Sequence, residues 1–166
     1  KKIEQNITST LAIDGQLGRG HSIQSGTKLH QQPDFKDLCE RVESAAQGIL
    51  EFLEHKPAPL KITGCWANVS GPSDHHKEHS HPNNFLSGAY YVKTPKGGDS
   101  INFHDPRAEA QVIAPHVTES STKNSSTVIV EVQPGRLVLF PAWLRHSVDP
   151  NRSQEQRMSI SFNLMF

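Results

Sequence analysis

The sequence predicts a mainly β protein, a sandwich or jelly roll of about eight short strands with one N-terminal amphipathic helix packed on a sheet. Three observations support this fold class. One stretch, residues 34–53, carries apolar side chains at helical spacing. From residue 60 onward, short runs rich in β-branched and aromatic residues recur at regular intervals, and turns containing glycine or proline separate them.

The length and charge of the chain limit its organisation and its partners. Its 166 residues suit one domain, so we expect a single unit over residues 1–166, with an N-terminal arm and helix (1–59) and a β core (60–166). Lys and Arg total 17, as do Asp and Glu, and this balance does not favour nucleic acid. With only Cys39 and Cys65, a disulfide framework is excluded, and we expect a reducing, cytoplasmic location. No apolar run predicts a membrane span.

The first thirty residues are polar and rich in glycine, and we expect an irregular arm or short strands there, with residues 11–15 as the only compact apolar piece. The helix begins near Asp34, which can cap its first turn. Its apolar positions recur every three or four residues and are Phe35, Leu38, Val42, Ala45, Ala46, Ile49, Leu50 and Leu53. This face is expected to pack against a sheet.

After Pro57 and Pro59 the chain takes on β character. Predicted strands occupy residues 60–69, 86–92, 100–103, 127–132, 136–140, 143–148 and 158–166, with a further candidate at 111–114. Turns are expected at 96–99 and 133–135, and a polar loop at 119–126. We expect the strands at 86–92 and 100–103 to form a hairpin.

Histidines just before the strand at 86–92 have the spacing of metal ligands. In an extended chain His79 and His81 project from the same face, so they can hold one metal ion. His146, in another extended segment, is the candidate third ligand. On the last strand, Arg157 and Ser159 share one face.

Other polar residues have simpler interpretations. We expect His75 and His76 to be solvated loop residues, and His104 to be a satisfied histidine at a strand end. Asp105 and Arg107 are expected to pair with each other and fix a turn. Packing in the core and lining a pocket are equally good interpretations of three further residues, Trp66, Asn68 and Trp143.

An ordered set of motifs in the second half of the chain resembles a known family. The motifs are His79-Ser80-His81, Leu86-Ser87-Gly88-Ala89-Tyr90-Tyr91-Val92, Gly97-Gly98, Pro134-Gly135, Leu137-Val138-Leu139-Phe140, His146 and Arg157-Met158-Ser159. Together, over roughly residues 60–166, they resemble the iron(II)- and 2-oxoglutarate-dependent oxygenases. The similarity is greatest to a bacterial and phage branch with a His-x-His-Pro segment, and more distant to prolyl hydroxylases.

This resemblance implies a double-stranded β-helix, the cupin-like jelly roll, and an enzyme that couples 2-oxoglutarate decarboxylation to hydroxylation of a substrate. The implied cofactors are Fe(II) and 2-oxoglutarate as cosubstrate. His79, His81 and His146 would bind the iron, leaving positions for the 2-oxo acid and dioxygen. No catalytic residue is implied beyond these ligands. The partner would be a small-molecule or peptide substrate, with neither nucleic acid nor membrane.

The resemblance also implies a binding site for the cosubstrate. Arg157 would grip the distal carboxylate of 2-oxoglutarate in a bidentate, charge-assisted pair. Ser159, on the same face, could add a hydroxyl group. Tyr91 corresponds to the second tyrosine of a pair that reaches the same carboxylate in prolyl hydroxylases.

Two questions stay open at the level of sequence. Most of the superfamily carries Asp or Glu where this chain has His81, so the third iron ligand is His81, the amide of Asn83, or the carboxylate of Asp105. Two other functions compete, a three-histidine cupin-like dioxygenase without 2-oxoglutarate and a non-catalytic metal-binding domain. Arg157 favours the oxygenase, since a cupin-like dioxygenase without 2-oxoglutarate has no need of a buried cation opposite the metal.

Overall fold

The computed structural model describes residues 2–14, 22–107, 109 and 112–166. Its helices are α1 (Lys2–Asp14) and α2 (Lys36–Phe52), with 3-10 turns at Leu29–Gln31 and Pro33–Phe35. Its strands are β1 (Ile23–Gln24), β2 (Lys61–Ser70), β3 (His76–His79), β4 (Leu86–Lys93), β5 (Ser100–His104), β6 (Thr127–Glu131), β7 (Leu137–Pro141), β8 (His146–Val148) and β9 (Arg157–Met165). The predicted mainly β class is confirmed.

The strands form two antiparallel sheets, which make up the jelly roll. One sheet has the order β1-β2-β9-β4-β7 and the other β3-β8-β5-β6. β9 lies between β2 and β4, so its polar face is held at the middle of the larger sheet. A small apolar cluster that includes Tyr91 and Phe140 from the larger sheet and Ile101 from the smaller one joins the two sheets.

The main hydrophobic core lies between α2 and the larger sheet. Every third or fourth residue of α2 is buried there, namely Leu38, Val42, Ala46 and Leu50. β9 contributes Met158, Ile160, Phe162 and Leu164 from the face that alternation predicts. The helix is therefore the amphipathic one expected, but Asp34 does not cap it: Asp34 lies in the 3-10 turn, and the N-terminal cap position is Phe35, without a side-chain hydrogen bond.

The N-terminal arm expected over the first thirty residues is wrong for residues 2–14, which form a second helix. Ile3, Ile7 and Leu11 recur every fourth residue, so α1 presents a single apolar stripe. Ile7 is fully buried in the main core, and Ile3 and Leu11 pack against it. This narrow stripe was hidden among polar residues. Residues 15–21, which belong to the same glycine-rich stretch, lie outside the described part of the chain.

Two further expectations for the β region are wrong. β4 and β5 do not form a hairpin, because β4 belongs to the larger sheet and β5 to the smaller one. The turn at 96–99 therefore carries the chain from one sheet to the other. In the candidate strand at 111–114, residue 111 lies outside the described residues, and 112–114 are not in a strand.

A close approach of backbones explains one glycine of the Leu86–Val92 motif. A Cβ atom at Gly88 would lie 2.4 Å from the carbonyl oxygen of Val138 and 2.7 Å from a ring carbon of Phe162. Both distances are shorter than any normal contact. Only glycine therefore fits where β4 crosses between β7 and β9.

Neither described helix has the length and apolar composition needed to cross a bilayer.

Candidate metal centre

Three histidines meet where β3 and β8 lie side by side. His79 is the last residue of β3 and pairs directly with His146, the first residue of β8. His81 follows β3, and its backbone N–H donates a 2.9 Å hydrogen bond to the carbonyl oxygen of Ala142. Pairing with the chain just before β8 therefore continues past the end of β3 and brings His81 to the same place.

The geometry of this cluster suits one metal ion. One ligand atom from each of His79, His81 and His146 lies within 4.8 Å of the other two. The ring centroids are 4.3 Å apart for His79 and His146, 5.0 Å for His79 and His81, and 5.1 Å for His81 and His146. Within the described residues the group includes no carboxylate or cysteine thiol.

Hydrogen bonds and burial favour the tautomer and the protonation state in which an imidazole binds a metal ion. Nδ1 of His79 lies 2.7 Å from the carbonyl oxygen of Lys77, and Nδ1 of His146 lies 2.9 Å from that of Leu144. A carbonyl only accepts, so each Nδ1 carries the proton and each Nε2 is left free to bind. Burial lowers the pKa of His81 and of His146 to about 4. Both rings are therefore neutral at neutral pH, as metal ligands must be.

The acidic and amide alternatives are engaged elsewhere. Asp105 accepts hydrogen bonds of 3.0 and 2.8 Å from the guanidinium of Arg107, which lowers the pKa of Asp105 to about 2. The expected pairing of these two residues is confirmed. Glu78 pairs at 2.6 Å with Arg145. Asn83 is exposed and has a positive φ of 63°, in the turn after the histidine segment.

The three histidines line a pocket that also receives the polar face of β9. The pocket is small, with a cavity volume of about 60 Å³. Arg157, Ser159 and Ser161 reach it from β9, as the alternation on that strand predicts. Tyr91 lines it from β4 and Trp66 from β2.

Arg157 gives this pocket a buried positive charge that lacks a counterion. The residue is 3 % exposed and forms no ion pair with any described residue. Its Nε has no hydrogen-bond partner, and its Nη2 makes only a long contact of 3.5 Å to the carbonyl oxygen of Ser100. Burial lowers the pKa of Arg157. Such a group requires an anion in the pocket.

Tyr91 lies against this guanidinium and is also left unsatisfied. The carbon of the Arg157 guanidinium is 5.2 Å from the centre of the Tyr91 ring. The Tyr91 hydroxyl is buried and has no hydrogen-bond partner, and burial raises its pKa. It is therefore a neutral donor, held next to a cation.

A family model described as "Putative 2OG-Fe(II) oxygenase" matches residues 64–163, more than half of the chain. The chain belongs to this family. It is an Fe(II)- and 2-oxoglutarate-dependent oxygenase, and its cofactors are Fe(II) and 2-oxoglutarate. No curated protein matches it in sequence.

Several solved structures share the fold of this chain. The epimerase SnoN from nogalamycin biosynthesis, an α-ketoglutarate-dependent non-haem enzyme, superposes with a TM-score of 0.73 at 15% identity, covering 99% of this chain and 70% of SnoN. A Pseudomonas putida prolyl-4-hydroxylase gives 0.68 at 12% identity, covering 98% and 83%. HygX from Streptomyces hygroscopicus, with nickel, 2-oxoglutarate and hygromycin B bound, gives 0.65 at 12% identity, covering 99% and 78%. At these identities the likeness shows the fold.

The residues of the oxygenase pocket fit both cofactors. Three convergent imidazoles, two of which have Nε2 left free by the hydrogen bond at Nδ1, can occupy three positions of an octahedral ion. The unpaired Arg157 guanidinium and the unsatisfied Tyr91 hydroxyl match the needs of a carboxylate, which accepts several charge-assisted hydrogen bonds.

Sequence reasoning placed some other polar residues correctly. His104 is satisfied at a strand end, with Nε2 2.9 Å from the Ser147 hydroxyl and Nδ1 3.3 Å from that of Thr127. Trp66 lines the pocket. Trp143, however, is 62 % exposed and is neither in the core nor part of the pocket lining.

One member of the pocket was missed. His76 is not a solvated loop residue: it is the first residue of β3, lines the pocket, and has Nε2 2.6 Å from the Ser22 hydroxyl. The two residues are 54 positions apart, so nothing local in the sequence indicates the contact.

Proposed function

We propose that this oxygenase couples the oxidative decarboxylation of 2-oxoglutarate to the hydroxylation of a small molecule or a peptide side chain. With iron bound, one atom of dioxygen enters succinate as CO₂ leaves, and the other enters a C–H bond of the substrate. The observation that carries the proposal is the buried, unpaired Arg157 in the same pocket as three convergent histidines.

In this proposal His79, His81 and His146 hold the iron, and no carboxylate takes part. Their hydrogen bonds to Lys77 and Leu144 fix two of the rings before the metal binds. Three neutral ligands leave the full 2+ charge on the iron, whereas the usual carboxylate would offset half of it. The site is thereby suited to a dianionic cosubstrate.

Arg157, Tyr91 and Ser159 bind the distal carboxylate of 2-oxoglutarate. Arg157 supplies the charge and two donors, and the Tyr91 hydroxyl supplies a third. Ser159 follows two residues after Arg157, is 3 % exposed and lines the same pocket. Burial strengthens these interactions, because little water competes for the carboxylate.

The all-histidine cluster alone would also suit a dioxygenase that binds its substrate directly to iron without 2-oxoglutarate, but the family of this chain uses 2-oxoglutarate. Such an enzyme gives no reason for a buried guanidinium beside the metal. A purely structural role does not explain Arg157 either, because an unpaired buried cation destabilises the fold.

Succinate formation tests the proposal. The protein is loaded anaerobically with Fe(II), mixed with 2-oxoglutarate and exposed to air, and succinate is measured over time. We expect succinate that requires both iron and air, at a slow rate without substrate and a faster one with it. The Arg157→Met variant is the control and should form almost none. A wild-type protein that neither binds nor consumes millimolar 2-oxoglutarate would overturn the proposal.

A further inference from the structure

A series of three buried or half-buried polar side chains leads from the end of β2, on the pocket side of the larger sheet, into the pocket. Because Ile23 of β1 pairs with Val69 of β2, Ser22 lies beside Ser70. Their hydroxyl oxygens are 2.6 Å apart, and the Ser22 oxygen is also 2.6 Å from Nε2 of His76. Ser22 is 5 % exposed and Ser70 2 %. The imidazole of His76 is therefore held in one orientation.

The protons along this series of hydrogen bonds can be assigned from the need of each buried hydroxyl for an acceptor. Either hydroxyl could donate to the other, and the role of Nε2 depends on the tautomer of His76. One order gives both hydroxyl protons an acceptor among the described residues: Ser70 donates to Ser22, and Ser22 donates to Nε2 of His76. A neutral imidazole that accepts at Nε2 carries its proton at Nδ1.

His76 lines the same pocket as the metal centre and Arg157. Ser70 pairs directly with Arg157 across β2 and β9, so the two residues lie side by side on one face of the larger sheet. In the other direction, the ring of His76 is 6.5 Å from that of His79, farther than any pair within the metal cluster. Nδ1 of His76 makes no hydrogen bond to a described residue, although the ring lines the pocket.

We propose that His76 is a cosubstrate-binding residue, whose Nδ1–H donates to the distal carboxylate of 2-oxoglutarate beside Arg157, with Ser22 and Ser70 as positioning residues. This inference rests on the proposed function, since it assumes that the anion in the pocket is 2-oxoglutarate. It adds a neutral donor to the guanidinium.

A comparison of two ligands distinguishes cosubstrate binding by His76 from a purely structural role. They are 2-oxoglutarate and 2-oxopentanoate, which has the same chelating 2-oxo acid group but a methyl group in place of the distal carboxylate. Calorimetric titration into Mn(II)-loaded protein gives the preference for 2-oxoglutarate. His76→Ala should reduce this preference by about 10- to 100-fold, as expected for a hydrogen bond to a charged group. Affinity for 2-oxopentanoate and for Mn(II) should stay unchanged.

Matched variants test whether Nδ1 of His76 is the hydrogen-bond donor. His76→Asn offers an amide N–H near the position of Nδ1 and should keep most of the preference, whereas His76→Gln offers one near Nε2 and should lose it. Ser22→Ala should lose about threefold, since it frees the ring to turn. His104→Asn, which changes a histidine bonded to Ser147 and Thr127, is the control and should change nothing. If His76→Ala fails to fold, the test rests on the comparison of His76→Asn with His76→Gln.

The outcomes also separate this inference from the proposed function. A wild-type protein that prefers 2-oxoglutarate, together with an unchanged preference in His76→Ala and His76→Gln, would overturn the role of His76 alone. Equal losses for both ligands, or a loss of Mn(II), would mean that His76 only supports the fold. If the wild-type protein binds neither ligand, the proposed function fails and this inference with it.

Discussion

At the scale of single residues, the pocket contains groups that the protein itself leaves unsatisfied. Nε of Arg157 and the hydroxyl of Tyr91 are buried without partners. A buried polar group without a hydrogen bond costs about 1–3 kcal/mol, and more if it is charged. The ligand-free fold therefore carries a cost that an anionic ligand removes, so function and stability should respond in opposite directions to substitutions here.

Substitutions of Arg157 and Tyr91 should show this opposition. Arg157→Met should weaken 2-oxoglutarate binding by roughly 2–5 kcal/mol, since a buried charge pair is lost, and should leave Mn(II) binding intact. Tyr91→Phe should weaken it by about 1 kcal/mol, for one hydrogen bond. Calorimetry measures both effects. Urea unfolding of the ligand-free variants should show equal or higher stability than wild type, and a large loss of stability would contradict the argument.

The metal ligands give a second prediction at this scale. Changing His79, His81 or His146 to Ala should each remove most of the bound Fe(II), because the metal centre offers one ligand atom from each of these three histidines and no other among the described residues. Asp105→Ala should leave the iron content unchanged, since this carboxylate is bound to Arg107. Metal analysis after anaerobic dialysis measures it. Iron that survives His81→Ala but is lost with Asp105→Ala would assign the third ligand to the carboxylate.

The position of a residue can be predicted from the sequence when a rule that depends only on neighbouring residues determines it. Strand alternation is a local rule, and it put His79 near His81 and Arg157 on the same face as Ser159 and Ser161. The contact of His76 with Ser22 depends on the pairing of β1 with β2. No periodicity within either segment encodes that pairing, so His76 was misplaced in a solvated loop.

At the scale of elements, β9 is central to the molecule because one of its faces packs in the core and the other contributes to the pocket. Met158, Ile160, Phe162 and Leu164 face the α2 core, while Arg157, Ser159 and Ser161 line the pocket. The strongly periodic elements, α2 and β9, were predictable for this reason. α1 was not, since its apolar stripe is one residue wide and lies among polar residues and threonines, which favour helices weakly.

Two glycines give a matched prediction about these elements. Gly88→Ala should destabilise the protein strongly, because the new Cβ would lie 2.4 Å from the Val138 carbonyl and separate β4 from β7. Gly48→Ala, in α2, meets nothing within 4 Å and should stabilise the protein by about 0.5–1 kcal/mol, as expected for Gly to Ala in a helix. Urea unfolding of both variants is the measurement. Equal stabilities would contradict the close approach at Gly88.

At the scale of the whole molecule, a formally neutral chain concentrates positive charge in one pocket when acid is added. Three histidines of the pocket, His76, His81 and His146, are neutral because burial lowers the pKa of each to about 4. Protonating them would place several like charges beside Arg157. The fold therefore favours the neutral form of these imidazoles, and its stability should depend on pH through all three histidines together.

Acid should therefore weaken the metal-free fold over a defined range. The ordinary pKa of histidine is 6.5, against about 4 for these three groups in the fold. Between these values the unfolded chain binds protons that the folded chain does not, so protonation favours unfolding. Stability should be greatest above about pH 6.5 and should fall as the pH is lowered toward about 4.

Urea unfolding of the metal-free protein at about pH 7.5, 6 and 5 measures this decline. Changing His76, His81 and His146 together to Asn removes the three titrating groups and should flatten most of the curve in that range. A bound metal ion binds only deprotonated imidazoles and should raise stability at pH 7.5 by mass action, with the gain shrinking as protons compete for the ligands. A wild-type stability that stays constant between pH 7.5 and 5, or a triple variant that declines as steeply, would show that these histidines are not buried as neutral groups.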